Sequence, residues 1–282
     1  MLSGRSDAAQ LEPVVRDGVT LALHAWRAAR PAAVAFYVHG TQSHAGWLFE
    51  TGPALAERSI TLYVLDRRGS GRSEGPRGDA ASCESWVDDH AAALAVVRAR
   101  HGALPLTIIG QSMGAPIAAL LAARDLASHD AVLFSAPALD NLHATRPPER
   151  LEQIRANAGP ELHDITTPLE AFTRDPRYLD FMRADPLRQV QMSSRFFASW
   201  IDAEAQCREL AAGVLARPSA LLQPRVDRVV HADAARAMFD RLTNGRAITI
   251  QLPTEDHYLE FSTARRAWIE LVATFVVGCG LA

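Results

Sequence analysis

Ser112 lies in Gly110-Gln111-Ser112-Met113-Gly114, between the apolar run Leu106-Thr107-Ile108-Ile109 and a helix-like segment opening with Ala115-Pro116-Ile117. Strand, Gly-x-Ser-x-Gly and helix in that order describe a nucleophile elbow, a sharp turn that lifts a serine oxygen clear of a sheet. The glycines leave room for the turn, and the Met113 amide faces the place where an oxyanion would form. The chemistry open to such a serine is acyl transfer, provided that a base takes its proton. All 29 basic residues other than histidine are arginine. Without lysine, a Ser-Lys pair, a Schiff base and a Walker A loop are excluded, and the base must be a histidine.

His257 and Asp227 are the candidates that complete the set. His257 follows the strand-like residues 247–252, and Asp227 follows a strand ending near Gln223. In a doubly wound sheet, reactive groups gather beyond the carboxyl ends of the strands. In these roles His257 takes the Ser112 proton and returns it to the leaving group, while Asp227 fixes the imidazole tautomer and stabilises the imidazolium. His231 is a rival base, four residues beyond Asp227 and at the start of a helical pattern. Asp233, Asp240, Glu255 and Asp256 crowd the field for the acid, and Asp227 also suits a turn or helix cap.

Acyl transfer needs a second oxyanion donor, and the Thr41 amide in His39-Gly40-Thr41, after the apolar run 33–38, is assigned to it. His39 itself reads as a hydrogen-bonded scaffold residue. His39 and His44 lack a third ligand at metal spacing, so no metal is expected. In Gly69-Ser70-Gly71-Arg72-Ser73-Glu74-Gly75 the third glycine falls one place too late for a dinucleotide fingerprint, which leaves a tight loop and no cofactor.

The elements that must position these residues alternate. Asp17-Gly18 marks a hairpin between two antiparallel N-terminal strands. Residues 33–38, 61–65, 106–109 and 131–134 are short apolar runs, as strands buried on both faces should be. Helical patterns cover residues 47–58, 85–100 and 113–126, so the expected fold class is α/β, with a mostly parallel, doubly wound sheet. The alternation stops over residues 141–217, which look helical and carry six prolines. This segment reads as a helical cap inserted in a core made of residues 1–140 and 218–282. Strand and helix patterns resume at 219–222, 232–242, 247–252 and 263–277.

At 282 residues and a net charge of −3 without long runs, the chain offers no basic face for nucleic acid, and a small-molecule partner is expected. The N-terminal residues lack the apolar core of a secretory signal, and no stretch is long enough to span a bilayer, so a cytoplasmic location is expected. Cys83, Cys207 and Cys279 are widely separated and suggest neither a disulfide framework nor a zinc site. The last four residues formally match a prenylation box, but a glycine in second place and the lack of a basic cluster argue against it. A monomer is the default.

Taken in order, Val38-His39-Gly40 with His44, Asp66-Arg67-Arg68-Gly69-Ser70-Gly71-Arg72-Ser73, Gly75-Pro76-Arg77-Gly78, the Ser112 pentapeptide and Ser135-Ala136-Pro137-Ala138 resemble the monoacylglycerol lipase and lysophospholipase-like branch of the α/β-hydrolases, also grouped with serine aminopeptidases. Thr173-Arg174-Asp175-Pro176 and Arg183-Ala184-Asp185-Pro186-Leu187 extend the likeness into the cap. The order Ser112, Asp227, His257 is the one expected of that fold. The resemblance implies hydrolysis of carboxylic esters, commonly lipid monoesters, with a mobile cap over an acyl tunnel and no cofactor. Gln111 replaces the usual His before the nucleophile, Ser70 the usual His between glycines, and Pro224 a Gly that often precedes the acid. None of the three removes a catalytic group.

Phe196, Phe197 and Trp200 recur at helical spacing in the cap and suit either an acyl channel or packing onto the core. Fold does not fix the acyl group. Thioester hydrolysis, acyl transfer or cyclisation of a specialised metabolite would use the same residues, and a non-catalytic ligand-binding protein would keep the fold without turnover.

Overall fold

Asp17 and Gly18 both take left-handed backbone, with φ of 50° and 74°, as a type I′ turn requires. They fold β1 (Gln10–Arg16) back onto β2 (Val19–Trp26), antiparallel as expected. A computed structural model describes residues 9–279. The N-terminal residues considered for a secretory signal and the last three residues of the C-terminal box lie outside them.

The remaining strands are β3 (Ala33–Val38), β4 (Ile60–Leu65), β5 (Leu106–Gln111), β6 (Ala131–Ser135), a separate short antiparallel pair β7 (Leu162–Asp164) and β8 (Gln191–Ser193), then β9 (Ser219–Pro224) and β10 (Ile248–Leu252). The main sheet has eight strands in the order β1-β2-β4-β3-β5-β6-β9-β10. β2 meets β4 antiparallel, and every pairing from β4 to β10 is parallel.

The apolar runs are continuous because both faces of the sheet are covered. Val34, Phe36 and Val38 of β3 face one layer with Leu94 and Val97 of α2 (Cys83–His101) and Ile117 and Leu121 of α3 (Gly114–Arg124). The alternate residues Ala33, Ala35 and Tyr37 face the other layer, with Leu55 of α1 (Thr51–Ala56) and Trp268, Val272 and Val276 of α9 (Arg265–Gly278). Ser82 caps α2 by accepting from the Ser85 amide at 3.3 Å.

Two expectations need correction. The helix expected over residues 47–58 is a 3-10 turn, Ala45–Leu48, followed by the six-residue α1. Pro53 supplies no N–H and its ring crowds the preceding turn, so it fits in the first turn of α1 but not in the interior of one helix running from residue 47. Residues 141–217 are not wholly helical: α4 (Asn141–Thr145), α5 (Pro148–Ala156), α6 (Pro176–Ala184) and α7 (Ser194–Glu209) share the segment with the β7–β8 pair. Prolines open α5 and α6 at their first turns, where a missing N–H costs nothing. Strands of three residues, Leu162-His163-Asp164 exposed and Gln191-Met192-Ser193 mostly buried, are too short to carry a detectable periodicity. α8 (Ala232–Thr243) follows β9, and a 3-10 turn, Leu259–Phe261, precedes α9.

Candidate active site

Ser112 stands between β5 and α3 with φ of 50°, a conformation that costs a non-glycine residue about 1–2 kcal/mol. The left-handed position is the serine itself. Its backbone is held there by the Ser112 amide donating to Ser135 O at 3.2 Å, and by Ser112 O accepting from the Ala115 and Ala138 amides, each at 2.9 Å. Gly114 serves close approach instead, since a Cβ there would fall 2.1 Å from Val38 O at the end of β3.

The structure brings Ser112, His257 and Asp227 into one hydrogen-bonded chain. His257 Nε2 lies 2.9 Å from Ser112 Oγ, and Nδ1 lies 3.0 and 2.9 Å from the two carboxylate oxygens of Asp227. A ring nitrogen facing a carboxylate carries the proton, which leaves the Nε2 lone pair for the serine hydroxyl. Asp227 Oδ1 also accepts from the Val229 and Val230 amides at 2.8 and 3.0 Å. Burial pushes the Asp227 carboxyl up, but the His257 ring and these amides outweigh it and hold the pKa below its ordinary value. Ser112 is 5% exposed and His257 fully buried, so the chain of bonds is shielded from water.

The rivals are engaged elsewhere. His231 is the N-cap of α8, its Nδ1 accepting from the Ala234 amide at 3.1 Å. Asp256 accepts from the Arg174 amide and from Thr254 Oγ1, both at 3.1 Å. Glu255 pairs with Arg228 at 2.6 Å, and Asp233 and Asp240 lie on α8. The loop carrying His257 is clamped by the segment between β6 and β9: Phe172 O accepts from the Tyr258 amide, and Thr173 Oγ1 donates to Phe261 O. No periodicity or motif pointed to that clamp.

His39 is fully buried, with Nδ1 3.0 Å from Gly40 O and Nε2 accepting from the Arg67 amide at 3.1 Å. Burial, and then the nearby Arg67 charge, hold its pKa well below the ordinary histidine value. Hydrogen bonds engage both ring nitrogens, in keeping with the scaffold role expected from the sequence. The amides of Thr41 and Met113 have no acceptor among the described residues. Gly40 abuts the serine, since a Cβ on it would fall 3.1 Å from Ser112 Cβ. The neighbouring Gln111 carboxamide is buried without a hydrogen-bond partner. Arg67, not singled out in the sequence, lies beneath this loop. The available signal was its place directly beyond the carboxyl end of β4.

Phe196, Phe197 and Trp200 lie on α7; Phe196 and Trp200 are inside a large apolar cluster with Leu142, Leu151 and Val230, and the partly buried Phe197 packs against it. Phe196 meets Trp86 of α2 edge-on at 4.9 Å between centroids, and Phe197 stacks on Trp200 at 6.4 Å. Asp140, His143 and Glu204 place potential metal ligands within 4.8 Å of one another. Their capacity is already used. Glu204 accepts from the Leu142 and His143 amides and from the His143 ring, and Asp140 pairs with Arg208 at 2.6 Å. The 69–75 loop is organised by the Asp66 carboxylate, which accepts from the Arg72 amide at 2.8 Å and the Ala45 amide at 2.7 Å. Among the described residues no helix is long and apolar enough to cross a membrane.

Comparison with known proteins places this arrangement in a family. The chain is 25% identical over 216 residues to monoacylglycerol lipase of Mycolicibacterium smegmatis, covering 76% of this chain and 77% of that protein. It is 26% identical over 235 residues to monoglyceride lipase of Homo sapiens, covering 79% and 75% respectively. The crystal structure of a soluble variant of Saccharomyces cerevisiae monoglyceride lipase in complex with a substrate analog matches with a TM-score of 0.83 over 96% of each chain, at 15% identity. That likeness speaks to the fold. The family model Hydrolase_4, serine aminopeptidase S33, matches residues 29–257. Because the match opens just before β3 and ends on His257, it takes in most of the sheet and the whole hydrogen-bonded chain, and the protein belongs to the serine aminopeptidase S33 family with an α/β-hydrolase fold.

Proposed function

We propose that this protein is a serine hydrolase that cleaves a carboxylic ester through an acyl-Ser112 intermediate. The observation that carries the reading is the unbroken chain from Ser112 Oγ through His257 to Asp227, set on a strained elbow. Ser112 Oγ attacks the ester carbonyl as its proton passes to His257 Nε2. Asp227 stabilises the imidazolium so formed. The oxyanion of the tetrahedral intermediate accepts from the amides of Thr41 and Met113, whose N–H groups have no other acceptor among the described residues. His257 then protonates the leaving alcohol, and water activated by the same nitrogen releases the acid.

The lipase names of the relatives favour a lipid monoester or similar acyl ester as substrate. The segment between β6 and β9 acts as a cap, with Phe197 and Trp200 offering apolar surface to an acyl chain. The test is turnover of p-nitrophenyl esters of graded chain length by the wild type and by Ser112→Ala. Activity lost in the variant supports the reading, and the preferred length measures the acyl pocket. A wild type silent across the series overturns simple ester hydrolysis in favour of a specialised acyl acceptor or a non-catalytic ligand receptor.

A further inference from the structure

Arg67 is 1% exposed. Its guanidinium faces two main-chain carbonyls and the His39 ring: Nη1 donates to His39 O at 2.5 Å and lies 3.0 Å from His39 Nδ1, and Nη2 donates to Thr41 O at 3.2 Å. Its own amide donates to His39 Nε2, which leaves the ring proton on Nδ1, donated to Gly40 O at 3.0 Å. Three consecutive carbonyls, of residues 39, 40 and 41, are thus held by Arg67 and by the ring that Arg67 orients. In a trans peptide the N–H points opposite to the C=O. With Gly40 O turned to the His39 ring, the Thr41 N–H is turned the other way.

We propose that Arg67 is a positioning residue that aims the Thr41 amide at the oxyanion formed on the Ser112 adduct. The proposal rests on the esterase reading above. Reaching two carbonyls two residues apart takes two N–H groups in one rigid plane, which a guanidinium supplies and an ammonium does not. The ring of Phe196, 6.0 Å from the guanidinium carbon, covers it. Burial lowers the Arg67 pKa to about 9, so the group stays cationic at neutral pH. The far end of the loop is fixed separately, by Gln42 O accepting from the Gln189 amide at 3.0 Å.

The experiment compares wild type, Arg67→Met and Arg67→Lys, with sites counted by fluorophosphonate titration so that unfolded protein does not enter the rates. For each, kcat and KM are measured on a p-nitrophenyl ester, with the inhibition constant of a trifluoromethyl ketone that forms the tetrahedral oxyanion. Arg67→Met should lose about ten- to a hundredfold in kcat per titrated site, with KM nearly unchanged and ketone affinity falling by the same factor. Arg67→Lys, which keeps the charge without the fork, should recover only part of this. Wild-type kcat and ketone affinity per titrated site in either variant would overturn the proposal and leave Arg67 a packing residue. If Arg67→Met does not fold, Arg67→Lys decides by the same measurements. A wild type that neither turns over esters nor reacts with the fluorophosphonate would overturn the esterase reading itself, and the proposal with it.

Discussion

Ser112 Oγ and His257 Nε2 lie 2.9 Å apart although 145 residues separate them in the chain. The serine follows β5 and the histidine follows β10, with β6 and β9 between those strands in the sheet. Only the loop after β10, clamped by residues 172–174, brings the imidazole back across that width. Ser112→Ala should therefore lower turnover by at least about 10⁴-fold, while the elbow and the thermal midpoint are kept, since alanine retains the Cβ. Retained turnover would reduce the elbow to an ordinary turn.

Asp227→Asn tests the other end of the chain. The carboxylate accepts from His257 Nδ1 and from two backbone amides. A carboxamide keeps the shape but offers its NH2 or its oxygen to a ring whose tautomer is then no longer fixed. A loss of about 10³–10⁴-fold in kcat is expected, with fluorophosphonate labelling of Ser112 slowed in parallel. Unchanged labelling would assign Asp227 to the turn alone.

The two candidate histidines separate cleanly. His257→Ala should be nearly as damaging as loss of the serine. His231→Ala removes only an N-cap from α8, at about 0.5–2 kcal/mol of stability, and should leave kcat unchanged. A His231→Ala enzyme that is folded but inactive would reassign the base.

What was legible in the sequence followed from strong local rules. Continuous apolar runs marked β3, β4, β5 and β6 because each is buried on both faces, and Asp17-Gly18 marked the hairpin because both residues need positive φ. The relation of Ser112, Asp227 and His257 followed from chain order and sheet topology. The β7–β8 pair was not legible, since Leu162-His163-Asp164 is exposed and held by tertiary contacts. Arg67 was missed for a different reason. Its role is defined by carbonyls of the loop at residues 39–41, and main-chain oxygens leave no mark in a sequence.

On α7 the neighbouring aromatics should respond differently to truncation. Phe196 is 4% exposed and packs against Trp86, so Phe196→Ala should cost about 3–5 kcal/mol. Phe197 is only partly buried, and the Trp200 indole nitrogen is buried without a partner. Phe197→Ala and Trp200→Phe should shift the preferred acyl length at a smaller cost in stability. A chain-length profile unchanged in both would mean that this face serves packing only.

Acid stability offers a test independent of turnover. His90 of α2 is fully buried, its Nδ1 donating to Trp86 O at 2.7 Å and its ring edge-on to Phe36. Burial pushes its pKa down to about 4, with Arg67 adding in the same direction. Below the unfolded value of about 6.5, the unfolded chain binds a proton that the folded chain refuses until about pH 4. The contribution of His90 to stability then rises with pH through this window, and falls by up to about 3 kcal/mol as pH drops from 6.5 to 4. His39, depressed in the same sense, adds to the slope. The carboxylates of Asp66 and Asp227 have lowered pKa values; their stabilisation is present above the unfolded carboxylate pKa and is lost only below about pH 4. Urea midpoints between pH 7 and 4.5 therefore report the histidines together with Glu204 and Glu260, whose carboxyl pKa values burial raises and whose slope has the opposite sign. His90→Gln, which removes one titrating ring, should take the His90 share out of the rise of stability with pH, and a variant with the wild-type slope would show that His90 takes up its proton in the folded protein as readily as in the unfolded chain.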